Sequence, residues 1–394
     1  MTDGTADRPL HLLIAGGGVA GLEALIAARS LAGDRVRVTL LDPTDEFVYE
    51  PMSVAEPFAR HGADRTPLAK FARDFSAEHV KDALDRVDPD EHEVITTSGQ
   101  TIGYDVLLVA LGARRRPALA NVTTFRGQED SESVHGLIQD IEDCYVKSVA
   151  FVVPGGVTWP LPLYELALMA VGRAREMGQN LDATVVTPED SPLAAFGQQA
   201  SGAVAELMRE AGIVLETSAY ADVEGRRLHL RPGGRDLEPD RIVALPVLEG
   251  PAPRGLPADE RGFIPTETHG HVPGVEDVYA AGDGTQFPIK QGGVATQQAD
   301  VAVGDIVGRV GVKLESDDHL RPVLRAKLLT GRGERFLRGD ETTGGHGAAS
   351  EASEHALWWP PSKLAGAYLA PYLAGPDVAA APERDGLDIE LPLS

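Results

Sequence analysis

The chain has 394 residues, enough for two or three domains with substantial cores. Its 60 acidic and 36 basic residues give a formal charge of −24, which argues against nucleic acid or an anionic membrane surface as the main partner. The only cysteine, Cys144, excludes an intrachain disulfide and a dithiol redox pair, and its place near the end of a predicted helix favours a buried structural thiol. Neither a long apolar run nor a start typical of a signal peptide is seen, so we expect a cytoplasmic protein.

The first predicted element is a strand, a glycine turn and a helix. The apolar run Leu12 to Ala15 leads into Gly16-Gly17-Gly18-Val19-Ala20-Gly21, and a helix-compatible run from Leu22 to Leu31 follows. The first, third and sixth residues of such a turn allow a tight bend, close approach of a pyrophosphate and close packing of helix on strand. The helix N-terminus offers unpaired N–H groups and a partial positive charge. The pattern predicts dinucleotide binding.

An acidic residue follows the second predicted strand. The strand runs from Val36 to Leu41, and Asp42 comes 21 residues after Gly21. A carboxylate at this place can accept hydrogen bonds from ribose hydroxyls. In the segment after it, Pro51 is predicted to open a helix near the far end of a cofactor, and the alternative is an ordinary junction between a loop and a helix.

Two later strands end in small or acidic residues. The strand that starts at Tyr104 closes on Ala110 and Gly112, where small side chains let a nucleotide pass close to the backbone. The strand that starts at Val275 closes on Gly282 and Asp283, at the end where ligands bind in doubly wound sheets. Taken singly, each is an ordinary strand or turn.

A lysine and a glycine-rich helix start come next along the chain. Lys290, Gln291 and Gly292 precede a predicted helix from Val294 to Val310. A cation here would stabilise negative charge on a bound cofactor, and the alternative is a lysine that only solvates the surface.

Together these motifs resemble the pyridine nucleotide-disulfide oxidoreductase superfamily of flavoproteins. Tyr49 to Ala55 and Lys290 to Ala299 are similar to its branch of sulfide:quinone reductases and type II NADH:quinone reductases. The resemblance covers about Leu10 to about Val312 and implies non-covalent FAD, with the glycine turn at the pyrophosphate, Asp42 at the adenosine ribose and Asp283 at the ribitol. It also implies that the Lys290 segment lies beside the isoalloxazine, where quinone approaches. The predicted cofactor-binding residues are Gly16, Gly18, Gly21, Asp42, Pro51, Ala110, Gly112, Gly282, Asp283, Lys290, Gln291 and Gly292.

The implied fold is α/β, with two Rossmann-like, three-layer dinucleotide-binding domains, the second inserted in the first, and a small C-terminal region. We expect residues 1–125 and 250–320 to form the FAD-binding domain and residues 126–249 to form an NAD(P)-binding-like domain. Residues 321–394 are expected to form a capping or interface region, with a strand from Val323, a mobile loop from Arg338 to Ser353, and Trp358 and Trp359 in core packing or a dimer contact.

The departures from the family pattern concern the electron donor. A chain whose only cysteine is Cys144 cannot form the redox pair of sulfide:quinone reductases, so sulfide oxidation by that mechanism is not expected. Three prolines and Trp159 crowd the second glycine turn, between Pro154 and Glu165. The strand from Asp182 to Val186 runs into a threonine and a proline, so no acid ends it to hold a second ribose. These changes argue against NAD(P)H binding in the usual mode.

Two functions remain open. One is an FAD-dependent oxidoreductase that passes electrons from an unidentified donor, NAD(P)H among the candidates, to a quinone-like or other acceptor. The other is a flavin-binding protein whose degenerate nucleotide domain serves as an interaction or redox-sensing module. We expect small-molecule partners, no nucleic acid and no membrane contact, and a homodimer through the C-terminal region is one option. No side chain is assigned as a catalytic acid or base, and the motif His269-Gly270-His271 is interpreted as a loop without a metal.

Overall fold

Two five-stranded parallel sheets carry the fold of the computed structural model, which describes residues 8–60, 62–314, 320, 322–340 and 350–379. In chain order the strands are β1 (Leu10–Ala15), β2 (Val36–Leu41), β3 (Glu46–Val48), β4 (Arg65–Pro67), β5 (Glu78–Val80), β6 (Leu84–Asp88), β7 (Glu93–Thr96), β8 (Thr101–Gly103), β9 (Val106–Val109), β10 (Arg114–Arg116), β11 (Thr123–Thr124), β12 (Ser148–Val152), β13 (Asp182–Val186), β14 (Val214–Glu216), β15 (Tyr220–Glu224), β16 (Arg227–Arg231), β17 (Arg235–Leu237), β18 (Arg241–Ala244), β19 (Val247–Glu249), β20 (Val278–Ala280), β21 (Val323–Leu329), β22 (Glu334–Asp340) and β23 (Ser350–Ser353). The α-helices are α1 (Val19–Ala32), α2 (Leu68–Asp74), α3 (Ser131–Glu142), α4 (Leu161–Glu176), α5 (Gln198–Glu210), α6 (Gly292–Gly308), α7 (Leu369–Ala374) and α8 (Pro376–Ala379).

The first sheet has the strand order β20-β9-β1-β2-β5, with every pair parallel. Helices α1 and α6 cover one face, and the antiparallel sheet β6-β7-β8 covers the other. Because both faces are covered, β1 is a continuous apolar run, and Leu12 to Ala15 are fully buried. These three layers confirm the predicted fold class for this part of the chain.

The second sheet has the order β11-β18-β12-β13-β14, again with every pair parallel. Its strands show the two-residue period of a sheet with different partners on its two faces. In β12, Val149 and Phe151 face the core that contains α3, α4 and α5, whereas Ala150 and Val152 face the antiparallel sheet β15-β16-β17. This sheet is therefore the second three-layer unit that the sequence predicts.

A two-stranded ribbon connects the two sheets. The chain leaves the first sheet after β9 through β10 and returns through β19, and these strands pair antiparallel, with Arg114 opposite Glu249. The second sheet is thus inserted between β9 and β20 of the first. The exact limits at residues 125 and 250 remain predictions.

The C-terminal region forms an antiparallel sheet of β21, β22 and β23. Every second residue of β21 is buried, beginning at Leu324, and joins the core of the inserted unit. Trp358 is 4% exposed and packs edge-on against Phe336, with ring centroids 5.1 Å apart, so it is a core residue of this region. No helix among the described residues has the length and apolar character needed to cross a membrane.

Two local predictions are wrong. The expected mobile loop from Arg338 to Ser353 is strand at both described ends, since β22 continues to Asp340 and β23 starts at Ser350, while residues 341–349 lie outside the described residues. Cys144 is exposed rather than buried. Because α3 already ends at Glu142, Cys144 falls in the turn after it, with a left-handed φ of 63°.

Candidate functional site

The main cavity has a volume of about 1170 Å³ and lies at the carboxyl ends of β1, β9 and β20, with α4 and β21 on its other side. Eleven of the twelve predicted cofactor-binding residues line it, namely Gly16, Gly18, Asp42, Pro51, Ala110, Gly112, Gly282, Asp283, Lys290, Gln291 and Gly292. The twelfth, Gly21, lies beneath the first glycine turn. Parallel sheets bind ligands at this end of their strands.

The glycine turn has three positions with different steric demands. At Gly16, where φ is +114°, an added Cβ would lie 2.3 Å from the carbonyl oxygen of Ala110, and at Gly21 it would lie 1.8 Å from the carbonyl oxygen of Gly16. These two glycines are required by the packing of the protein itself. At Gly18 an added Cβ would meet nothing within 4 Å, although this residue lines the cavity and precedes α1. The space over Gly18 and the free N–H groups of the first helical turn therefore suit an anionic ligand.

Asp42 fastens the end of β2 to this turn. One carboxylate oxygen accepts a hydrogen bond from the N–H of Gly17 at 2.6 Å, and the other accepts from the N–H and the hydroxyl of Thr44 at 2.8 and 2.6 Å. The carboxylate is thus oriented by the protein before any ligand is present. Its predicted role toward a ribose would come in addition to this structural role.

The carboxylate of Asp283, unlike that of Asp42, is not held by hydrogen bonds from the described part of the protein. Its carboxylate accepts no hydrogen bond from any residue that the structure describes, although burial raises its pKa and the charges of Lys290 and Arg115 oppose that rise. The preceding residue, Gly282, has φ +84° and donates its N–H to Oε1 of Gln298 at 2.7 Å, which fixes the turn. A carboxylate that lines a cavity and receives no hydrogen bond from the protein can accept one from a ligand.

Lys290 and Gln291 stand at the start of α6. Burial lowers the pKa of Lys290 to about 8, and its Nζ lies 3.9 Å from the ring centroid of Phe263 while it donates to the carbonyl oxygen of Thr285. The side chain of Gln291 accepts from the N–H of Val294 at 3.0 Å. This cap explains why α6 begins at Gly292, two residues earlier than predicted.

The remaining predicted residues shape the backbone of the cavity. Pro51 is the second residue of a 3₁₀ turn that starts at Glu50, so the predicted helix start is present in a tighter form. Gly112 has φ +67° and leaves β9 in a left-handed turn. An added Cβ at Gly292 would lie 3.0 Å from Leu364 of the C-terminal region.

Sequence reasoning missed a buried ion pair in the same cavity. Nζ of Lys363 lies 2.6 Å from Oε1 of Glu165, and the two side chains are 5% and 0% exposed. Lys363 also donates to the carbonyl oxygen of Pro51 at 3.0 Å, and Glu165 accepts from the N–H of Leu329 at 2.9 Å. Burial raises the pKa of Glu165 and lowers that of Lys363, and their mutual attraction opposes both shifts. The partners are 198 residues apart, so no local pattern could have revealed the pair.

The second glycine turn is partly covered by an aromatic ring. A Cβ added at Gly155 would lie 3.4 Å from the ring of Tyr220, so this ring lies close to the place where a pyrophosphate would approach. The sequence pointed to Trp159 as the crowding residue. Instead, Trp159 lines the main cavity and packs on Phe196, with ring centroids 5.6 Å apart.

The acid after the second strand of the inserted unit points inward. Glu189 accepts from the hydroxyl of Tyr164 at 2.7 Å and from the N–H of Ala194 at 3.2 Å, and burial raises its pKa. It is therefore engaged by the protein core rather than presented to a ribose.

The sequence matches the family model for pyridine nucleotide-disulphide oxidoreductases over residues 10–302. It is 27% identical over 291 residues to the sulfide-quinone reductase of Aquifex aeolicus (strain VF5), with 71% of this chain and 62% of that protein covered. It is 26% identical over 301 residues to the rhodocoxin reductase of Rhodococcus erythropolis, with 71% of this chain and 66% of that protein covered. The chain thus spans less than two thirds of the length of either relative.

The fold is similar to the crystal structure of the sulfide:quinone oxidoreductase from the hyperthermophilic bacterium Aquifex aeolicus. The TM-score is 0.77 at 20% identity, and the match covers 88% of this chain and 87% of that one. The resemblance to the superfamily is confirmed, and the similarity to a sulfide-quinone reductase agrees with the branch named above. The chain therefore belongs to the pyridine nucleotide-disulphide oxidoreductase family.

Proposed function

We propose that this protein is an oxidoreductase that holds FAD non-covalently in the main cavity and passes electrons from a two-electron donor to a quinone-like acceptor. Family membership supports the general class, a flavin-dependent oxidoreductase. The observation that carries the proposal is the convergence of eleven predicted residues on one cavity, in which the carboxylate of Asp283 accepts no hydrogen bond from the described residues.

The residues present fit FAD. The open space over Gly18 and the N-terminus of α1 suit its pyrophosphate, and Asp42 and Asp283 supply acceptors for hydroxyl groups on the two sides of that phosphate site. Lys290 adds a cation at the start of α6. Bound FAD would supply the two-electron chemistry, while the chain supplies orientation and electrostatics.

The pair of Glu165 and Lys363 supports a quinone-like acceptor. Reduction of a quinone to a quinol consumes two protons as well as two electrons, so the site needs groups that can deliver protons. The carboxylate of Glu165 and the ammonium group of Lys363 both line the cavity, and their opposed pKa shifts bring proton transfer between the two groups closer to balance. The rings of Trp159 and Phe287 give the same cavity apolar surface.

The donor is proposed to act without a cysteine pair. Cys144 is exposed and does not line the cavity, so sulfur cannot be held there by two thiols of this chain. The second candidate function, a redox-sensing or interaction module, is favoured by two observations: the ring of Tyr220 partly covers the second glycine turn, and Glu189 is turned inward.

The cofactor is tested first. We expect the purified protein to show a flavin spectrum that denaturation releases as free FAD. Asp283→Ala should weaken FAD binding about tenfold to a hundredfold, the range expected when a hydrogen bond to a charged group is lost. Asp190→Ala, which removes an exposed carboxylate of the inserted unit, is the matched control and should bind FAD like the wild type. A protein that carries no flavin and cannot be reconstituted with FAD would contradict the proposal.

The donor and acceptor are tested next, under anaerobic conditions. NADH, NADPH and sulfide are mixed in turn with the protein while the flavin absorbance is followed, and a short-chain soluble quinone is then added. We expect Cys144→Ser to behave like the wild type and Glu165→Gln to slow reoxidation by quinone while leaving FAD bound. Rapid bleaching by a nicotinamide would overturn our interpretation of the second glycine turn. If no donor bleaches the flavin and quinone fails to reoxidise the chemically reduced protein, the sensing function is favoured instead.

A further inference from the structure

A second cluster of polar side chains lies where the loop before β20 meets the C-terminal half of α6. His269 and His271 come from this loop, and Asp305 comes from the helix. Nδ1 of His269 lies 3.7 Å from Oδ1 of Asp305, and Nε2 of His271 lies 3.1 Å from Oδ2. One ligand atom from each residue lies within 4.8 Å of the other two. Within the part of the chain that the structure describes, this is the only group of three such side chains.

These separations fit a tetrahedral metal ion. Zinc binds imidazole nitrogen and carboxylate oxygen at about 2.0–2.2 Å, so two ligand atoms of a tetrahedral site lie about 3.3–3.6 Å apart. The distances from His269 and His271 to the carboxylate, 3.7 and 3.1 Å, run to its two different oxygens, and both lie close to this range. Two imidazoles and one carboxylate suit zinc and its neighbours among the first-row transition metals, and a water molecule can take the fourth position.

The neighbouring residues hold these ligands in place. Tyr279 is 1% exposed, and its hydroxyl donates to Oδ2 of Asp305 at 2.5 Å while its ring packs against His271 with centroids 4.2 Å apart. Outer hydrogen bonds of this kind orient metal ligands in proteins. Gly270, with φ +80°, makes the turn between the two imidazoles, and an added Cβ there would lie 3.0 Å from the carbonyl oxygen of Ala280.

The side-chain exposures also suit an ion that can enter from solvent and yet is partly desolvated. The side chains of His269, His271 and Asp305 are 24%, 40% and 33% exposed. The guanidinium of Arg309, the residue that follows α6, acts on Asp305, but it forms an ion pair with Asp277, which offsets its charge. An ion pair with Asp305 alone would require only one of the two histidines.

We propose that His269, His271 and Asp305 bind one divalent transition-metal ion, with zinc as the best fit, and that this ion fastens the loop before β20 to α6. Both elements continue to the main cavity, since β20 leads to Asp283 and α6 begins at Gly292. Asp305 lies about 20 Å along the helix from that start, at 1.5 Å per residue. The ion is therefore structural, and it would stabilise the unit that holds the cavity without taking part in its chemistry.

The test uses the full-length chain without an affinity tag, treated with a chelator and then titrated with zinc by calorimetry. We expect one equivalent of zinc to bind and to raise the thermal unfolding temperature. Cobalt added in its place should give the visible absorption bands of a tetrahedral site. His269→Gln and His271→Gln should each weaken zinc binding at least about tenfold, in line with the sensitivity of metal sites to their ligand environment.

His229→Gln is the matched control. His229 lies 2.7 Å from Asp236 on the hairpin of β16 and β17, so it forms a similar pair but belongs to no three-ligand group of the described residues. This variant should bind zinc like the wild type. The proposal is overturned if the wild type binds neither zinc nor cobalt, or if the double variant His269→Gln/His271→Gln binds zinc as the wild type does. Asp305→Asn supplies a further readout if either histidine variant fails to fold, because its amide oxygen can still accept from Tyr279.

Discussion

Removal of Lys363 gives the sharpest test of how the cavity is held together. In Lys363→Met the carboxylate of Glu165 stays buried, with an exposed fraction of 0%, and keeps only the N–H of Leu329 as a partner. Breaking a buried pair by removing one partner costs about 3–5 kcal/mol, because the remaining charge is uncompensated. The entropy of unfolding is about 2.1 cal/mol/K per residue, so cooperative unfolding of 394 residues converts this loss into a fall of about 4–6 °C in melting temperature.

The stability lost in Lys363→Met should depend on pH, and the pKa shift of Glu165 fixes the direction of that dependence. Burial raises the pKa of Glu165, and without the ammonium group of Lys363 nothing comparable opposes that rise. A carboxyl with a raised folded pKa favours folding below its unfolded pKa, and this contribution is lost as the pH rises through the folded pKa. The difference in melting temperature between Lys363→Met and the wild type should therefore narrow as the pH is lowered.

Two further variants isolate the effect. The double variant Glu165→Gln/Lys363→Met removes both charges and should recover most of the lost stability. Arg209→Met breaks an exposed pair with Glu206 and should leave the melting temperature almost unchanged. Circular dichroism during heating measures all of them. The reasoning would be refuted if Lys363→Met were as stable as the wild type. It would also be refuted if Lys363→Met and the double variant lost the same stability at every pH.

Three other predictions concern the same unit. Gly18→Ala should keep the melting temperature of the wild type and bind FAD less tightly, whereas Gly21→Ala should unfold at a lower temperature, because its Cβ would lie 1.8 Å from a backbone oxygen. Melting curves and FAD titrations of the two variants separate these effects. Burial beside Glu23 raises the pKa of Asp300 well above its ordinary value, so Asp300→Asn should melt above the wild type at neutral pH and lose this advantage in acid, and a variant less stable at every pH would contradict this. Burial lowers the pKa of Lys290 from 10.5 to about 8, so the stability of the wild-type apoprotein relative to Lys290→Met should rise with pH between these values, as melting curves of the two proteins would show.

The sequence was most informative where local chemistry decides the structure. The strand, glycine turn and helix at the start follow from an apolar run and from steric demands within a few residues, and β2 and β13 have the predicted limits. The predicted helix ends were less accurate, because capping interactions decide where a helix begins and ends. Gln291 moved the start of α6 by two residues, and the early end of α3 left Cys144 in an exposed turn.

The site could be predicted only in part for the same reason. A glycine turn or an acid at a strand end has a characteristic spacing, so the first glycine turn, Asp42 and Asp283 were predicted from local pattern, whereas the family resemblance supplied the place of the Lys290 segment. Glu165 and Lys363 have no such spacing, since they meet only when α4 packs against the C-terminal region. The cluster of His269, His271 and Asp305 likewise needs the loop before β20 to pack on α6, although the pattern His-Gly-His was visible in the sequence.

The C-terminal segment from Lys363 to Leu369 is bound to both parallel-sheet units through buried carboxylates. Glu165 on α4 binds Lys363, and Glu23 on α1 accepts hydrogen bonds from the backbone N–H groups of Tyr368 and Leu369 at 2.8 and 2.7 Å. Burial raises the pKa of both glutamates, and the hydrogen bonds and the positive charge that the segment supplies oppose that rise and so stabilise the carboxylates. Undocking the segment would remove these partners from both glutamates at once. The segment therefore helps to hold the two units together. The cavity between them depends on it, even though none of the sequence motifs for cofactor binding lies in the segment.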